Sequence, residues 1–377
     1  MSYLFEQKCV FDVTMAVTWF LLVAVVPTHG SNESISPPMV DMEQQVTKAS
    51  KTNPPWDGPR SGPAGIAGKT IAMVCEDLSN GGILGVAQGV QEAADVMQWK
   101  VKMFDAGGSP EGRDKAMNDA LTLTPDGLLL IGADANVMKS GLMLLAKKGV
   151  PMLGWHVGPK AGPMVDAPIA MNISTNPLDV ARITASAAVV ESGGQAGVVI
   201  FTDSNFEIAM VKANAMADVI RACKGCTLLE IRDVSISQSA EQMPVVTRQL
   251  LAHYGKRWTY ALAINDIYFD YAVPELIKAG EDAQDIHFLS AGDGSPAAFM
   301  RIQAGTFQTG TVAEPLHMQG WQLVDELNRL MTKTPVSGYI APVHLVTPEN
   351  VMYDGGSRFQ YDPDNSYREI YLRIWKR

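Results

Sequence analysis

Cysteine is scarce, with four among 377 residues. That excludes a disulfide-stapled scaffold and a cysteine-rich zinc array. Positive charge is also short: Lys and Arg number 30 against 40 Asp and Glu, a formal charge of −10. A nucleic-acid binder needs a basic face to neutralise phosphates, so no nucleic-acid partner is expected. No apolar run reaches the ~20 residues of a bilayer-spanning helix. Catalytic signatures are missing too. There is no Gly-x-Ser-x-Gly elbow, no His-Glu-x-x-His, and no Gly-x-Gly-x-x-Gly after the first expected strand. His253, His287, His317 and His344 show no ligand spacing, so no metal site is read and no cofactor is expected. These absences agree with a binding module rather than an enzyme.

The apolar run that does exist, Val13–Val26, suits the ~7–15-residue hydrophobic region of an export signal. Residues 1–30 are therefore read as a signal peptide and the mature chain as periplasmic. Residues 31–68 are rich in Pro, Gly and Ser and read as an exposed leader. Its end, Gly65 to Thr70, imitates a phosphate-binding loop. Pro63 takes the place of that motif's first glycine, and the segment opens a strand rather than a helix.

From Lys69 the apolar period switches repeatedly between short buried runs and amphipathic stretches. Ile71–Val74, Val101–Phe104, Gly127–Ile131 and Val150–Trp155 read as strands, with helices over 83–99 and 135–148 between them. Ser109 followed by Pro110 reads as the start of another helix. Gly197–Phe201, Thr227–Ile231, Tyr260–Ile264 and His287–Ser290 repeat the scheme. This predicts an α/β chain with parallel sheets in two similar lobes.

Ligands of open parallel sheets bind beyond the carboxyl ends of the strands. Asp77, Ser79 and Asn80 follow the first strand, Trp155 and His156 the fourth. Asp203, Asn205 and Phe206 follow Phe201, Asn265 and Asp266 follow Ile264, Asp293 follows Ser290, and Glu314 follows Val312. Carboxylates and amides bond hydroxyls, and aromatic faces stack on sugar rings.

Taken in order, the segments Asp77-Leu78-Ser79-Asn80, Gly149-Val150-Pro151, Ala263-Ile264-Asn265-Asp266, Ala291-Gly292-Asp293-Gly294-Ser295-Pro296, Gly310-Thr311-Val312-Ala313-Glu314-Pro315 and Val346-Thr347-Pro348-Glu349-Asn350 resemble the type I periplasmic binding proteins of the ribose-binding family. These are the solute receptors of ABC sugar importers. The resemblance runs from about Lys69 to Asn350. It implies two Rossmann-like lobes joined by a three-segment hinge that closes over the ligand. The lobes would comprise residues 69–174 with 314–342 and residues 175–313 with 343–351, and residues 352–377 would form an extension. The crossovers would lie near Ile173–Asn176, Thr311–Pro315 and Pro342–Val346.

The resemblance also implies ligand contacts. Asn80 matches the family's first-loop asparagine. Asn265 and Asp293 match the hinge-side amide and carboxylate, and Glu314 stands where Gln is usual. Ile83 replaces one of two stacking aromatics after an Asn-Pro that is here Asn80-Gly81-Gly82. His156-Val157 replaces an Asp-Arg pair, and Met210 a second-lobe arginine. Trp155 and Phe206 would supply aromatic surface instead. The ligand expected is a sugar or a less polar derivative, delivered by a monomeric receptor to an ABC permease, with no cofactor. A ligand sensor for a chemoreceptor or histidine kinase is the alternative reading. The Asn-Gly-Gly variant with its Trp56-Asp57-Gly58-Pro59 leader resembles a poorly characterised branch of the family.

Plainer roles compete for several of these residues. Asp266 reads as a helix N-cap, Asn80 has a cap reading and Asp293 a turn reading. Trp155 has a core reading. Cys223 and Cys226 form one Cys-x-x-Cys. One pair lacks two of zinc's ligands, and in an exported chain a local disulfide is expected. Cys75, within an apolar run, is expected to be buried and inert.

Overall fold

The structure is a computed structural model and describes residues 39–377 except Asn53 and Asp166. The run Val13–Val26 lies outside the described residues. Two six-stranded sheets organise the chain. The first contains β1 (Thr70–Cys75), β2 (Lys100–Asp105), β3 (Gly127–Ile131), β4 (Met152–Trp155), β5 (Gly162–Pro163) and β6 (Met171–Ile173), in the order β2-β1-β3-β4-β6-β5. The second contains β7 (Gly197–Thr202), β8 (Thr227–Asp233), β9 (Tyr260–Ala263), β10 (His287–Ser290), β11 (Gln308–Ala313) and β12 (His344–Val346), in the order β12-β11-β10-β9-β7-β8. All pairings are parallel except β5 with β6 and β11 with β12. The order β2-β1-β3-β4 repeats as β8-β7-β9-β10, so two alike lobes share one plan.

The helices are α1 (Met39–Ala49), α2 (Gly81–Met97), α3 (Pro110–Leu123), α4 (Lys139–Lys147), α5 (Pro177–Glu191), α6 (Glu207–Ala222), α7 (Ser239–Tyr254), α8 (Ile267–Ala279), α9 (Pro296–Ala304), α10 (Leu316–Met331), α11 (Val351–Gly355) and α12 (Tyr367–Trp375). Among the described residues no helix is long and apolar enough to cross a membrane. The inner strands β3, β4, β7 and β9 are buried on both sides because both sheet faces are covered, whereas the edge strands β2 and β8 are partly exposed. In β1, Ile71, Met73 and Cys75 enter one core while Ala72 and Val74 enter another. Caps follow the sequence: Ser109 Oγ accepts from Gly112 N, with Pro110 opening α3.

The chain leaves the first sheet after β6 and enters α5, whose side chains join the second lobe's core. It returns after β11 through α10, which packs on α2. It crosses again between α10 and β12.

The leader differs from the expected exposed linker. Met42 and Ala49 of α1 are buried in the second lobe's core, and Trp56 lies in the first lobe's. Met39, Met42, Val46 and Ala49 repeat at helical spacing inside a segment whose Pro and Ser content hid it. The C-terminal extension is likewise built into the fold. Tyr367, Ile370, Tyr371, Ile374 and Trp375 make an apolar face on α12. Trp375 stacks on Trp321 with centroids 5.4 Å apart and donates Nε1–H to Asp325 Oδ1 at 2.7 Å. Leader and tail also meet, since Gly65 N donates to Trp375 O at 2.9 Å.

The sulfurs of Cys223 and Cys226 are bonded, at the turn between α6 and β8. Cys75 is free and buried.

Candidate functional site: a cleft between the lobes

A cavity of about 250 Å³ lies between the carboxyl ends of the two sheets. From the first lobe it takes Glu76, Asp77 and Asn80 after β1, Gly108 after β2, Gly132 after β3, and Trp155 and His156 at the end of β4. From the second it takes Asn205 and Phe206 after β7, residues 235–238 after β8, Ile264 and Asn265 after β9, and Asp293 after β10. Helix residues complete it, notably Arg113 on α3 and Lys212 on α6.

Of the eight residues expected to contact the ligand, seven line this cavity: Asn80, Ile83, Trp155, His156, Phe206, Asn265 and Asp293. Glu314 does not. It sits behind the wall with 1% exposure and braces His156, whose Nε2 is 2.9 Å from Glu314 Oε1. Thr175 donates to the same carboxylate from Oγ1 at 2.7 Å and from N at 3.2 Å, and Gln319 Nε2 donates to it as well. The carboxylate therefore ties two crossover segments to the loop after β4. Burial opposes its charge, but His156, Lys212 and the Thr175 bond hold it well below the usual carboxylate range.

His156 has φ +52, a left-handed backbone uncommon outside glycine. Its ring lies flat on Trp155, 3.7 Å between centroids at 9°. Trp155 is both wall and core: it is 1% exposed, and its Nε1–H goes to Gln319 Oε1 at 2.7 Å. Asn80 is both cap and wall, since its Oδ1 accepts from Gly82 N at 2.9 Å.

Asp293 is oriented by Asn265, whose Nδ2 donates to Oδ2 at 2.8 Å. Among the described residues no side-chain donor bonds Asp293 Oδ1. Burial pushes the Asp293 carboxyl up, opposed by His156 and Lys212. Lys212 Nζ donates to Ala291 O at 2.7 Å, beside the same loop. Donor atoms of His156, Asp293 and Glu314 come within 4.8 Å of one another, a spacing that a cation can bridge. The positive charge of Lys212 already acts on both carboxylates.

Asp266 is not the helix cap that the sequence predicts. It makes no side-chain cap bond to α8. Asn265 Oδ1 instead accepts from Ile267 N at 3.0 Å. Asp266 turns inward, where Oδ2 accepts from Gly294 N at 2.8 Å and Oδ1 from Gln308 Nε2 at 2.8 Å. Its carboxylate is taken up by the loop after β10 and by β11, and Asn265 serves the helix end instead.

Glu76, Arg113 and Lys212 escaped the sequence reading. Arg113 makes a two-pronged ion pair with Glu76, Nε standing 2.8 Å from Oε2. A guanidinium thus reaches the cleft from α3, although Val157 and Met210 occupy the positions where the resemblance leads one to expect arginine. The signal for Lys212 was present: it interrupts a buried face made of Ala209, Ala213, Met216 and Ala217.

Comparison with known proteins agrees with this geometry. The profile described as "Periplasmic binding protein domain" matches residues 71–335. No curated protein matches the chain. Among solved structures, an ABC sugar transporter subunit from Rhodobacter sphaeroides 2.4.1 is 20% identical, with TM-score 0.65 over 75% of this chain and 99% of that one. An ABC transporter solute binding protein from Agrobacterium vitis with bound allitol is 18% identical, with TM-score 0.66 over 76% and 97%. A sugar ABC transporter protein from Yersinia enterocolitica subsp. enterocolitica 8081 is 14% identical, with TM-score 0.69 over 88% and 97%. These structures share the two-lobed fold, and with its family profile spanning residues 71–335 the chain belongs to the periplasmic binding protein family.

Proposed function

We propose that this protein is the extracytoplasmic solute-binding component of an ABC importer, taking a neutral polyhydroxylated molecule such as a sugar or polyol. The observation that carries the reading is the internal pairing of charge in the cleft. Glu76 is paired with Arg113, Glu314 and Asp293 face His156 and Lys212, and Asp77, on the exposed lip, accepts from Ser79 N and Oγ. A ligand of either charge would upset this balance in a buried site, where an unpaired charge costs several kcal/mol. A neutral ligand meets instead the free Asp293 oxygen, the Asn80 amide and the Lys212 ammonium. Ile83, Phe206, Ile236 and Ile264 offer apolar surface for a ring face or a deoxy edge.

The two lobes touch the ligand from opposite sides, and three chain crossings let them swing about it. Ligand binding then selects the closed form, which the permease reads. Bound allitol in the Agrobacterium vitis protein supports the ligand class. The Val13–Val26 run supports export. The protein acts by binding, with no chemical step.

A thermal-shift screen of neutral sugars and polyols beside sugar acids and amino sugars, followed by titration calorimetry, tests the reading. A neutral member should bind, and Asp293→Ala should weaken it by tenfold to a hundredfold, as expected for a charged hydrogen-bond acceptor worth ~1.5–3 kcal/mol. Preference for a charged ligand would refute it.

A further inference from the structure

The first turn of α2 opens with Gly81-Gly82, a weak choice for a helix, because glycine loses more freedom there than alanine. The reason lies across the cleft. A Cβ added at Gly82 would stand 2.2 Å from Asp293 Oδ2 and 2.7 Å from Asp293 Cβ. One added at Gly81 would stand 3.1 Å from Ser295 Cβ. Both partners belong to the loop between β10 and α9, in the other lobe. On the opposite lip a Cβ added at Gly108, where φ is +67, would stand 2.8 Å from Ser237 Cβ. Because Asp293 Cβ is fixed to its backbone, a side chain at 82 cannot be met by a rotamer change. The loop, and with it the lobe, must move away. The Asp293 carboxylate also lies against the positive end of a 17-residue helix, which attracts it.

We propose that Gly82 is the closure determinant of this protein: its missing side chain lets Asp293 seat on the first turn of α2 and brings the lobes together. The proposal rests on the reading of two lobes that swing. It assigns Gly82 a positioning role, because Gly82 places a group that meets the ligand.

Closure is read without any ligand by a chemical cross-link across the lips. In protein carrying Asp77→Cys and Ser237→Cys, two residues that line the cleft from opposite lobes, the rate of cross-linking by a short bismaleimide reports how often the lobes meet. Cys223 and Cys226 are already joined, Cys75 is buried, and Cys9→Ser removes the remaining thiol. Adding Gly82→Ala should slow cross-linking by about tenfold or more, the usual consequence of overpacking a tight contact. The thermal midpoint of the protein before cross-linking should stay within about 2 °C, since alanine favours the helix itself. Adding Asp293→Gly to that variant should restore the rate by removing the clash.

An unchanged rate in Gly82→Ala would overturn the proposal. So would a slowed rate that Asp293→Gly does not restore, or a parent pair that never cross-links. If Gly82→Ala fails to fold, Gly81→Val relieved by Ser295→Gly puts the same question at the neighbouring contact. No sugar enters the assay, so a chain that bound no sugar would leave its outcome standing.

Discussion

Replacing Asp266 with alanine separates a helix cap from the anchor of a binding loop. The side chain is 1% exposed and accepts from Gly294 N, Ser295 N, Thr311 Oγ1 and Gln308 Nε2. Through Gly294 it fixes the residue after Asp293. The alanine variant strands the buried Gly294 N–H and removes the three other bonds, a loss of about 2–4 kcal/mol. Loss of a simple cap would cost about 1 kcal/mol.

The pH dependence is a second test of the same residue. Burial pushes the Asp266 carboxyl up to about 6, against the pull of Arg301, Gln308 and the Gly294 N–H, with Asp293 adding to the rise. In the unfolded chain an aspartate titrates near ~4. Between those values the folded state holds the extra proton, so this group makes stability fall as pH rises through that window. The alanine variant lacks that slope. The gap between parent and variant should therefore widen from about pH 7 to about pH 4.5 by roughly 2 kcal/mol, at about 1.4 kcal/mol per pH unit. Urea unfolding of both proteins at the two pH values measures it. A pH-independent gap near 1 kcal/mol would restore the cap reading. A gap that narrows in acid would show that the hydrogen bonds outweigh burial, and the sign argued above would be refuted.

Trp56→Ala should cost about 3–5 kcal/mol in urea unfolding, as for a core aromatic, because Trp56 is 6% exposed and packs on Tyr339 and Tyr371; a cost below 1 kcal/mol would return the segment to a loose leader. Joint replacement of Cys223 and Cys226 by serine should change stability by no more than about 2 kcal/mol, since the loop they close is so short; collapse of the fold would contradict this. Cys75, its thiol pushed by burial up to about 12, should resist iodoacetamide in the native protein and react once unfolded.

The alternation of strands and helices was legible because each element carries its own period. The strand-end residues followed from topology: once a sheet is parallel, the residue after each strand faces the ligand side. That rule reaches Asn80, His156, Asn265 and Asp293, which need no knowledge of neighbours. It misses Arg113 and Lys212, which come from helices whose facing is set only by packing. It also misassigns Asp266. Its position before α8 is local information, but its partners Gly294, Gln308 and Thr311 lie 28 to 45 residues away. The leader and tail were obscured for the same reason. Ile66 N bonds Asn328 Oδ1 across 262 positions, and Arg329 Nη2 bonds Ser61 O across 268.

Those long-range bonds cover a helix side that the sequence period assigns to solvent. Asp325, Glu326, Asn328 and Arg329 stand on the polar side of α10, away from Leu323, Val324 and Leu327, and all are nonetheless buried. A buried charge is tolerated only with partners. Three charges and an amide within five residues of a buried helix therefore require a covering layer that supplies polar groups. The leader supplies it through the carbonyls of Ser61, Pro63 and Ala64, and the tail through Trp375 Nε1. Lys212 in the cleft follows the same logic with a different result. Among the described residues its one hydrogen bond goes to Ala291 O, which leaves an ammonium group in a cavity wall with capacity to spare. A charge on a buried helix face that packing fully satisfies marks structure. One that packing satisfies only in part, beside a cavity, marks the place where a ligand completes it.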